Sequence, residues 1–335
     1  MTIRIAINGF GRIGRMVLKA GFSDPEIEWV AVNDLTDTAT LAHLFKYDSV
    51  YGRWPGTVKA TDHSITINGK EVLVLAEKDP VKLPWKKLKI DLVIESTGFF
   101  CSKDGSMLHL KAGAAKALIS APCKGPEHVK TVVKGVNEHE LTKDDLIVSN
   151  ASCTTNCLAP MVKVLNDNFV VKRGFMSTTH AYTADQRLVD APHKDLRRAR
   201  AAGVNLVPTS TGAARAVAEV IPALKGKLDG FSIRAPVPCG SIVNFVCEVG
   251  KKTSIAEVNA LFKNVSEYHL KGIIEYSEEP LVSQDIIRNS NSCILDAQST
   301  NVIDGTFINV AGWYDNEWGF SCRMVDIAKL MGNLN

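Results

Sequence analysis

Residues 3–15 read IRIAINGFGRIGR, and this stretch predicts the architecture of the first half of the chain. A short apolar run leads into Gly9, Gly11 and Gly14, which have the spacing G-x-G-x-x-G, and an amphipathic helix pattern follows. Such glycines allow a tight turn, close approach of a pyrophosphate and close packing of helix on strand. The N-terminus of the helix attracts negative charge. We therefore predict a dinucleotide-binding turn here.

A carboxylate further along the chain supports this interpretation. Asp34 lies twenty positions beyond Gly14 (34 − 14), at the end of the next predicted strand. There its oxygens can accept hydrogen bonds from ribose hydroxyls. An acid at this place also repels a 2′-phosphate, so NAD is favoured over NADP. The alternative is an ordinary glycine turn followed by a helix-capping Asp.

The order of segments around this turn predicts two domains of different class, α/β and α+β. Strand-like and helix-like segments alternate up to about residue 150, which is typical of a Rossmann-type, doubly wound parallel sheet. The run 64–75 adds a hairpin turned at Asn68-Gly69. Longer β-rich runs then predict a largely antiparallel sheet. We place a dinucleotide-binding domain at 1–151 and a catalytic, substrate-binding domain at 152–316.

Composition argues against several other classes of protein. The 39 basic and 36 acidic side chains leave a formal charge of +3, which gives no reason to expect a nucleic-acid or membrane partner. No run approaches the roughly 18 apolar residues of a membrane span, and the N-terminus lacks the pattern of a signal peptide. The eight cysteines have no spacing typical of a zinc site and fit a reducing compartment. We expect a cytoplasmic protein without a metal.

A second stretch, SNASCTTNCLAP at 149–160, points to chemistry. Ser152 and Thr154 flank Cys153 with hydroxyls, whereas a cysteine used for packing normally lies among aliphatic side chains. Apolar periodicity after residue 157 indicates a helix, whose N-terminus would stabilise a thiolate. Pro160 is compatible with the first turn of that helix or with a kink in a helix that begins near Cys153. We assign Cys157 to packing.

A thiolate needs a basic partner, and His180 in MSTTHAYTADQ is the best candidate among the eight histidines. The alternative is a solvated loop histidine. Thr211 and Gly212 begin a predicted helix, where hydroxyls and amides can hold a phosphate or simply cap the helix. Arg234 is a charged residue in an otherwise apolar strand, facing either a cleft or a buried ion-pair partner. Together these residues predict a hydride-transfer enzyme with a covalent thiol step and a phosphorylated substrate.

The motifs INGFGRIGR, VNDL, SNASCTTNCLAP, THAYTADQ, HKDLRRARAA, TSTGAA and WYDNEWG follow one another along nearly the whole chain. This set resembles the phosphorylating glyceraldehyde-3-phosphate dehydrogenases, oxidoreductases of glycolysis. The resemblance implies Cys153 as the nucleophile and His180 as its base. It also implies two phosphate sites: Thr183 and Arg234 for the substrate phosphate, Ser152, Thr154, Thr211 and Gly212 for inorganic phosphate, and Arg198 near both.

For the cofactor NAD, the resemblance points to the glycine turn, to Asp34 and to Asn316, whose amide would orient the nicotinamide carboxamide. The residues that we assign to the cofactor are Gly9, Gly11, Arg12, Ile13, Gly14, Asp34, Lys78, Thr97, Ser120 and Asn316. A homotetramer is implied as well, with the loop 183–205 at subunit contacts and a last helix, within 317–335, that packs back on the first domain. Phe320 and Cys101 stand where the family often has Tyr and Thr.

The resulting hypothesis is that glyceraldehyde 3-phosphate, phosphate and NAD are converted to 1,3-bisphosphoglycerate and NADH through a thioester on Cys153. One alternative is the erythrose-4-phosphate dehydrogenase branch, which is similar in fold and in its Cys/His pair but releases the free acid by hydrolysis. The other alternative is a dinucleotide-sensing scaffold protein, which would need neither Cys153 nor His180.

Overall fold

Residues 2–334 are described by the computed structural model, and their contacts separate them into two units. Unit 1 contains the chain up to Val132, the segment Glu138–Ala151 and the chain from Ser321 onward. Unit 2 contains Val133–Asn137 and Ser152–Phe320. The chain therefore passes between the units several times, which no local sequence pattern indicates.

Unit 1 is an α/β fold on a mainly parallel sheet. Its elements up to Ala151 are β1 (Ile3–Asn8), α1 (Arg12–Gly21), β2 (Ile27–Asn33), α2 (Thr38–Lys46), β3 (Tyr47–Asp48), β4 (Gly52–Arg53), β5 (Val58–Ala60), β6 (Ser64–Ile67), β7 (Lys70–Leu75), α3 (Trp85–Leu88), β8 (Leu92–Glu95), α4 (Lys103–Lys111), β9 (Lys116–Ile119), β10 (Lys130–Thr131) and β11 (Ile147–Ser149). Within the described chain, nine of these strands form one sheet in the order β10-β11-β9-β8-β1-β2-β7-β6-β5.

This sheet has a topological switch point between β1 and β8. Strand β1 pairs in parallel with β8 on one side and with β2 on the other. The chain adds β2 on one side of β1 and later crosses over to add β8 on the other side. Ligands of such sheets bind in the crevice at the carboxyl ends of the strands beside the switch point. The antiparallel hairpin β6–β7 turns at Asn68 (φ 49°) and Gly69 (φ 83°), both with the positive φ that the Asn-Gly pair predicts.

Unit 2 is an α+β fold. Its elements are α5 (Cys153–Phe169), β12 (Val171–Ala181), β13 (Val207–Ser210), α6 (Ala213–Val220), β14 (Leu228–Ala235), β15 (Ser241–Val249), α7 (Ile255–Glu267), β16 (Ile274–Ser277), β17 (Cys293–Ile303) and β18 (Phe307–Tyr314). The strands form a sheet in the order β13-β14-β12-β15-β18-β17-β16, in which the pairs β12/β14 and β16/β17 are parallel and the others antiparallel. The predicted fold class is therefore confirmed.

Helix α5 packs against the sheet of unit 2 through strands β12, β15, β17 and β18. It begins at Cys153 and contains Pro160 well inside its length, which decides between the two positions that the sequence allowed for the proline. Because proline has no N–H, one intrahelical hydrogen bond is missing at this point. The tight packing of the surrounding residues, Leu158, Met161 and Leu165 among them, offsets that loss.

The last helix, α8 (Trp318–Asn333), belongs to unit 1 from Ser321 onward. Lys329 Nζ lies 2.8 Å from a carboxylate oxygen of Asp24 and 2.6 Å from one of Glu26. Lys116 Nζ donates to the carbonyl oxygen of Met331 at 2.7 Å, near the end of the helix. 3₁₀ turns lie at Pro80–Lys82, Glu138–Glu140, Ala202–Val204 and Pro222–Leu224. Over residues 2–334, none of the helices combines the length and apolar character needed to span a bilayer.

Candidate active site

Cys153 is the first residue of α5, and its polar neighbours hold the start of this helix. The Ser152 hydroxyl caps the helix by accepting a hydrogen bond from the backbone N–H of Thr155 at 3.1 Å. The Thr154 hydroxyl lies 2.9 Å from that of Tyr314, on β18. Just before the helix, Ala151 has φ 55°, a left-handed conformation that is uncommon outside glycine. The hydroxyls of Ser152 and Thr154 therefore make hydrogen bonds that stabilise the start of α5.

His180 lies beside this thiol, near the end of β12. Its Nε2 is 3.4 Å from the Sγ of Cys153, and the residue is buried. The ring of Tyr314 contacts the imidazole edge-on, with centroids 5.9 Å apart and planes at 71°. The Tyr314 hydroxyl also lies 3.0 Å from the hydroxyl of Thr178, which is on β12 with His180. The arrangement fixes the imidazole next to the sulfur.

Arg234 reaches the opposite side of the same ring. Strands β12 and β14 pair in parallel with His180 directly opposite Arg234. As a result, Arg234 Nη1 lies 2.5 Å from His180 Nδ1 and donates to the carbonyl oxygen of Ala181 at 3.2 Å. The same carbonyl oxygen is 2.7 Å from His180 Nδ1. Thiol, imidazole and guanidinium thus form a continuous row.

Burial acts on both the imidazole and the thiol of this row and favours the neutral form of each. Burial, together with the charge of Arg234, lowers the pKa of His180 to about 3, against the opposing effect of the Ala181 carbonyl. Burial raises the pKa of the Cys153 thiol, although Arg234 and hydrogen bonding with Thr154 act in the opposite direction. Burial of Cys153 therefore opposes the stabilisation of a thiolate that the helix N-terminus predicts.

Arg198 is held differently, because carboxylates surround it. It forms an ion pair with Asp185, and its Nε lies 3.4 Å from a carboxylate oxygen of Asp195. The same Nε donates to the hydroxyl of Thr209 at 2.8 Å. The charges of Arg198 and Asp185 both act on Arg234. An anion near these residues would therefore meet Arg198, which is already paired with carboxylates, and Arg234, which forms no such ion pair in the described chain.

The remaining residues predicted for phosphate lie at the start of α6 and after β12. Gly212 is the N-cap of α6, and a Cβ on it would meet no atom within 4 Å. The Thr211 hydroxyl accepts from the backbone N–H of Ala213 at 3.2 Å. The carbonyl oxygen of Thr183 accepts from the backbone N–H of Gln186 at 2.9 Å. The helix start is open, as an anion site requires.

In unit 1 a cavity of about 630 Å³ opens at the carboxyl ends of β1, β2 and β8. Five of the predicted cofactor residues line it, namely Gly9, Gly11, Asp34, Lys78 and Thr97. Seven other residues also line the cavity and were not predicted, which are Asn8, Asn33, Leu35, Glu77, Ser96, Phe99 and Phe100. The sequence could have indicated Asn8 and Asn33, because each is a polar residue at the end of a mainly apolar strand.

The glycine turn has the geometry of a phosphate cradle. Gly9 has φ 93°, and a Cβ on Gly14 would lie 2.2 Å from the carbonyl oxygen of Gly9, so both positions require glycine. A Cβ on Gly11 would point into open space. Asp34 accepts from the backbone N–H of Phe10 at 2.9 Å, which ties the acid to the turn. The buried hydroxyl of Ser96, a residue of the cavity lining, has no hydrogen-bond partner in the described chain.

Not all predicted cofactor residues share this cavity. Arg12 instead forms an ion pair of 2.6 Å with Asp48, and the lining does not include Ile13, Gly14 or Ser120. Asn316 belongs to unit 2, where its Oδ1 accepts from the backbone N–H of Gly240 at 3.1 Å and from the hydroxyl of Ser241 at 2.9 Å. These bonds commit the carbonyl end of the Asn316 amide to the fold, and leave its NH₂ group as the end that can serve a ligand.

A buried network behind the cavity was also missed. Glu95 Oε2 accepts from Asn8 Nδ2 at 2.7 Å and lies 3.1 Å from His109 Nε2. The other oxygen of Glu95 accepts from the backbone N–H of Thr97 at 2.7 Å. His109 Nδ1 accepts from the indole N–H of Trp85 at 3.1 Å. The network fixes two residues of the cavity lining, Asn8 and Thr97. Among residues 2–334, no cluster of three or more metal-ligating side chains is present.

Comparison with known proteins agrees with both halves of this description. Residues 3–103 match the family model described as the NAD binding domain of glyceraldehyde 3-phosphate dehydrogenase, and residues 152–316 match that of its C-terminal domain. The chain is 53% identical over 334 residues to glyceraldehyde-3-phosphate dehydrogenase of Geobacillus stearothermophilus, with 99% of each chain covered. It is 53% identical over 330 residues to glyceraldehyde-3-phosphate dehydrogenase 1 of Bacillus subtilis (strain 168), with 98% of each covered.

Proposed function

The chain belongs to the glyceraldehyde-3-phosphate dehydrogenase family, and on this premise we propose that it oxidises glyceraldehyde 3-phosphate with NAD and phosphate through a thioester on Cys153. The observation that carries the proposal is the 3.4 Å approach of Cys153 Sγ to His180 Nε2. A scaffold protein that only sensed a dinucleotide would need neither group. The relatives described above are named for this activity, and no observation favours the erythrose-4-phosphate alternative.

In the proposed mechanism, His180 takes the proton of the Cys153 thiol while the sulfur adds to the aldehyde carbon. The oxygen of the former aldehyde takes this proton from His180, which gives a hemithioacetal. On its oxidation the hydroxyl proton passes to His180 and the hydride is removed, for which NAD would be the acceptor, and a thioester remains on Cys153. Attack by phosphate on the thioester carbon then breaks the carbon–sulfur bond, releases the acyl phosphate 1,3-bisphosphoglycerate and restores the thiolate. The covalent step keeps in the thioester the oxidation energy that a free carboxylate would lose.

The two phosphate groups are proposed to bind at the cations and helix starts of unit 2. Thr183 and Arg234 serve the substrate phosphate, and Arg198 lies near both anions. Inorganic phosphate is assigned to four residues at the starts of α5 and α6, which are Ser152, Thr154, Thr211 and Gly212. The open N-cap of α6 supports this assignment, since backbone N–H groups at a helix N-terminus favour an anion.

The cavity of unit 1 fits NAD. The glycine turn leaves room for backbone approach to a pyrophosphate, and Asp34, which lines the cavity, would accept from a ribose. Lys78 and Thr97 line the same cavity, and we keep Arg12, Ile13, Gly14 and Ser120 as proposed supports of the site. Asn316 is kept as the residue whose NH₂ group would bind the carboxamide. Bound NAD supplies the hydride acceptor, the one chemical function that the side chains of the chain cannot provide.

We further propose that the chain acts as a homotetramer in the cytoplasm. Leu188, Leu196 and Val204 in the loop 183–205 are at least 79% exposed, which is costly for an isolated chain. On the sheet of unit 2, Phe175 and Phe231 are also exposed and pack on each other with centroids 6.0 Å apart. Contact with further copies would bury both surfaces. All eight cysteines are thiols, which fits a reducing compartment.

The test is NADH formation by the purified protein with glyceraldehyde 3-phosphate and NAD, with and without inorganic phosphate. We expect sustained turnover only when phosphate is present. Sustained turnover that is indifferent to phosphate would mean that water resolves the thioester, and the hydrolytic branch would replace the proposal. Cys153→Ala should abolish turnover and leave NAD binding near normal; dehydrogenase activity retained by this variant would refute the role of the thiol.

A further inference from the structure

The side-chain amide of Asn316, in the segment between β18 and α8, is held by its oxygen end. Its Oδ1 accepts from the backbone N–H of Gly240 at 3.1 Å and from the hydroxyl of Ser241 at 2.9 Å. Among residues 2–334, its NH₂ group has no hydrogen-bond partner, although the residue is only 5% exposed. Because an N–H group can only donate, the Gly240 N–H requires the oxygen on this side and excludes the NH₂ group.

The hydroxyl of Ser241 joins this amide to the end of a second strand. Ser241 is buried, and its Oγ also accepts from the backbone N–H of Ala181 at 3.1 Å. A hydroxyl has a single hydrogen, and the N–H of Ala181 can only donate to it. The hydrogen of the hydroxyl is therefore the one that bonds Asn316, and the hydroxyl connects the two residues.

The register of the sheet in unit 2 explains why one residue reaches both neighbours. Ser241 is the first residue of β15, which lies between β12 and β18. On one side, β15 pairs with β18 so that Ser241 is opposite Tyr314, two positions before Asn316. On the other side, it pairs with β12, which ends at Ala181. Because Ala181 directly follows His180, Ser241 connects the strand of the proposed base to the amide.

The backbone around Asn316 is fixed by a different side chain. The buried carboxylate of Asp315 accepts through Oδ1 from the backbone N–H groups of Glu317 and Trp318 at 2.9 and 2.8 Å. Its Oδ2 accepts from the backbone N–H of Arg288 at 2.8 Å. Asp315 therefore holds the chain in place, while Ser241 acts on the orientation of the amide. Loss of the Ser241 hydroxyl should loosen the amide and leave these backbone bonds intact.

From this geometry we propose that Ser241 is a positioning residue for the cofactor, because its hydroxyl keeps the NH₂ group of Asn316, rather than the oxygen, available to the nicotinamide carboxamide. The inference rests on the proposed function, since it takes Asn316 as the residue that binds the carboxamide. The carbonyl oxygen of a carboxamide can only accept, so an Asn316 amide turned the other way would lose this bond. Ser241 also ties the amide to the strand of His180, so that the cofactor residue and the proposed base keep one relative position.

The test compares the binding of NAD with that of ADP-ribose, which has the adenosine, the pyrophosphate and the second ribose but no nicotinamide. Isothermal titration calorimetry on the full-length protein, freed of bound nucleotide, measures both dissociation constants, and circular dichroism checks the fold. In Ser241→Ala, we expect the Kd for NAD to rise about 3–10-fold, as for the loss of one hydrogen bond. The Kd for ADP-ribose should stay within about twofold. An unchanged Kd for NAD, or an equal rise for both ligands, overturns the proposal.

A double variant tests whether Ser241 acts through Asn316. In Asn316→Ala there is no amide to orient, so adding Ser241→Ala should change the Kd for NAD by no more than about twofold. A further rise as large as that caused by Ser241→Ala alone would show that the hydroxyl acts elsewhere, and would contradict the proposal.

The matched control is Ser277→Ala, which removes another buried hydroxyl from the same sheet. On β16, the Ser277 hydroxyl accepts from the backbone N–H of Glu279 at 3.1 Å. We expect this variant to bind NAD and ADP-ribose as the unaltered protein does; a rise in the Kd for NAD equal to that of Ser241→Ala would contradict the proposal. Because no turnover is measured, failure of this inference is distinct from failure of phosphate-dependent NADH formation.

Discussion

His109 in unit 1 and His180 in unit 2 are both buried, yet their surroundings differ in sign. His109 has Glu95 on Nε2 at 3.1 Å and the indole N–H of Trp85 on Nδ1 at 3.1 Å. His180 has the Cys153 thiol on Nε2 and, on Nδ1, a guanidinium in competition with a carbonyl oxygen. One ring lies between a fixed acceptor and a fixed donor. The other lies between groups whose roles can change.

This difference teaches that the partners of a buried histidine, more than its burial, decide what it can do. Because Trp85 can only donate, Nδ1 of His109 acts as the acceptor, and the ring proton is on Nε2, directed at Glu95. Glu95 is further held by Asn8 and Thr97, and the whole network braces the cofactor cavity. At His180, the proton has two possible positions, and the neighbouring sulfur is the proposed nucleophile. Four predictions test this contrast.

The largest effect is expected for His180→Asn. It removes the base but leaves a polar side chain of smaller size, so kcat should fall by a factor of about 10²–10⁴. Steady-state NADH formation at saturating substrate and phosphate measures kcat, and urea unfolding checks that the stability of the variant is close to that of the original protein. A kcat within tenfold of the original would contradict the assignment of His180 as base.

The matched change in unit 1, His109→Leu, should affect stability more than chemistry. It leaves the Glu95 carboxylate buried without one partner, which costs about 3–5 kcal/mol of unfolding free energy, while kcat per folded molecule stays within a few-fold. Urea unfolding followed by circular dichroism measures the loss. Replacing both His109 and Glu95 with Leu removes the stranded charge and should recover part of it; a double variant less stable than the single one would show that the carboxylate is not the cause.

A third prediction concerns pH. The pKa of His180 is about 3 in the folded protein and near 6.5 when the chain unfolds. Between these values the unfolded state binds one more proton at this residue, so stability decreases as pH falls below 6.5, by up to about 1.4 kcal/mol per pH unit. Urea unfolding at pH 7.0 and at lower pH should show a steeper decrease for the original protein than for His180→Asn. Equal slopes would show that His180 is not held neutral by the fold.

The smallest effect is expected for Ser152→Ala, which removes the cap of α5 but neither member of the Cys153–His180 pair. Loss of the hydrogen bond to the N–H of Thr155 should cost about 1 kcal/mol of stability. The Michaelis constant for phosphate should rise, because the hydroxyl is also assigned to that site, and kcat should fall far less than in His180→Asn. A fall in kcat as large as that of His180→Asn would show that the positioning of α5 matters as much as the proposed base, His180.

The sequence predicted those features that depend on local pattern. The glycine spacing of β1 and α1, the Asn68-Gly69 hairpin and the polar start of α5 around Cys153 are written in short stretches, because turns and caps need particular residues at fixed offsets. The assignment of Cys153 and His180 to one site rested on their chemistry together. Their 3.4 Å approach follows from the packing of α5 on β12, which no short stretch encodes.

The features that the sequence left out depend on assembly. Glu95 and His109 come from β8 and α4 and meet only when the sheet of unit 1 forms. Arg234 reaches His180 because β14 pairs with β12 in parallel, an exception in a largely antiparallel sheet. The effect of burial on the pKa of the Cys153 thiol was not predicted either, because burial depends on the whole surrounding core, whereas the helix N-terminus is predicted by the local pattern.

The central claim, a covalent step at Cys153, is tested most directly by trapping the intermediate. The protein is mixed with glyceraldehyde 3-phosphate and excess NAD without phosphate, quenched in acid and digested, and the peptide containing Cys153 is weighed by mass spectrometry. We predict the added mass of a 3-phosphoglyceroyl group on Cys153 that disappears when phosphate is added before the quench. NADH formed in an amount equal to the enzyme with no adduct, or with the adduct on another residue, would contradict the account.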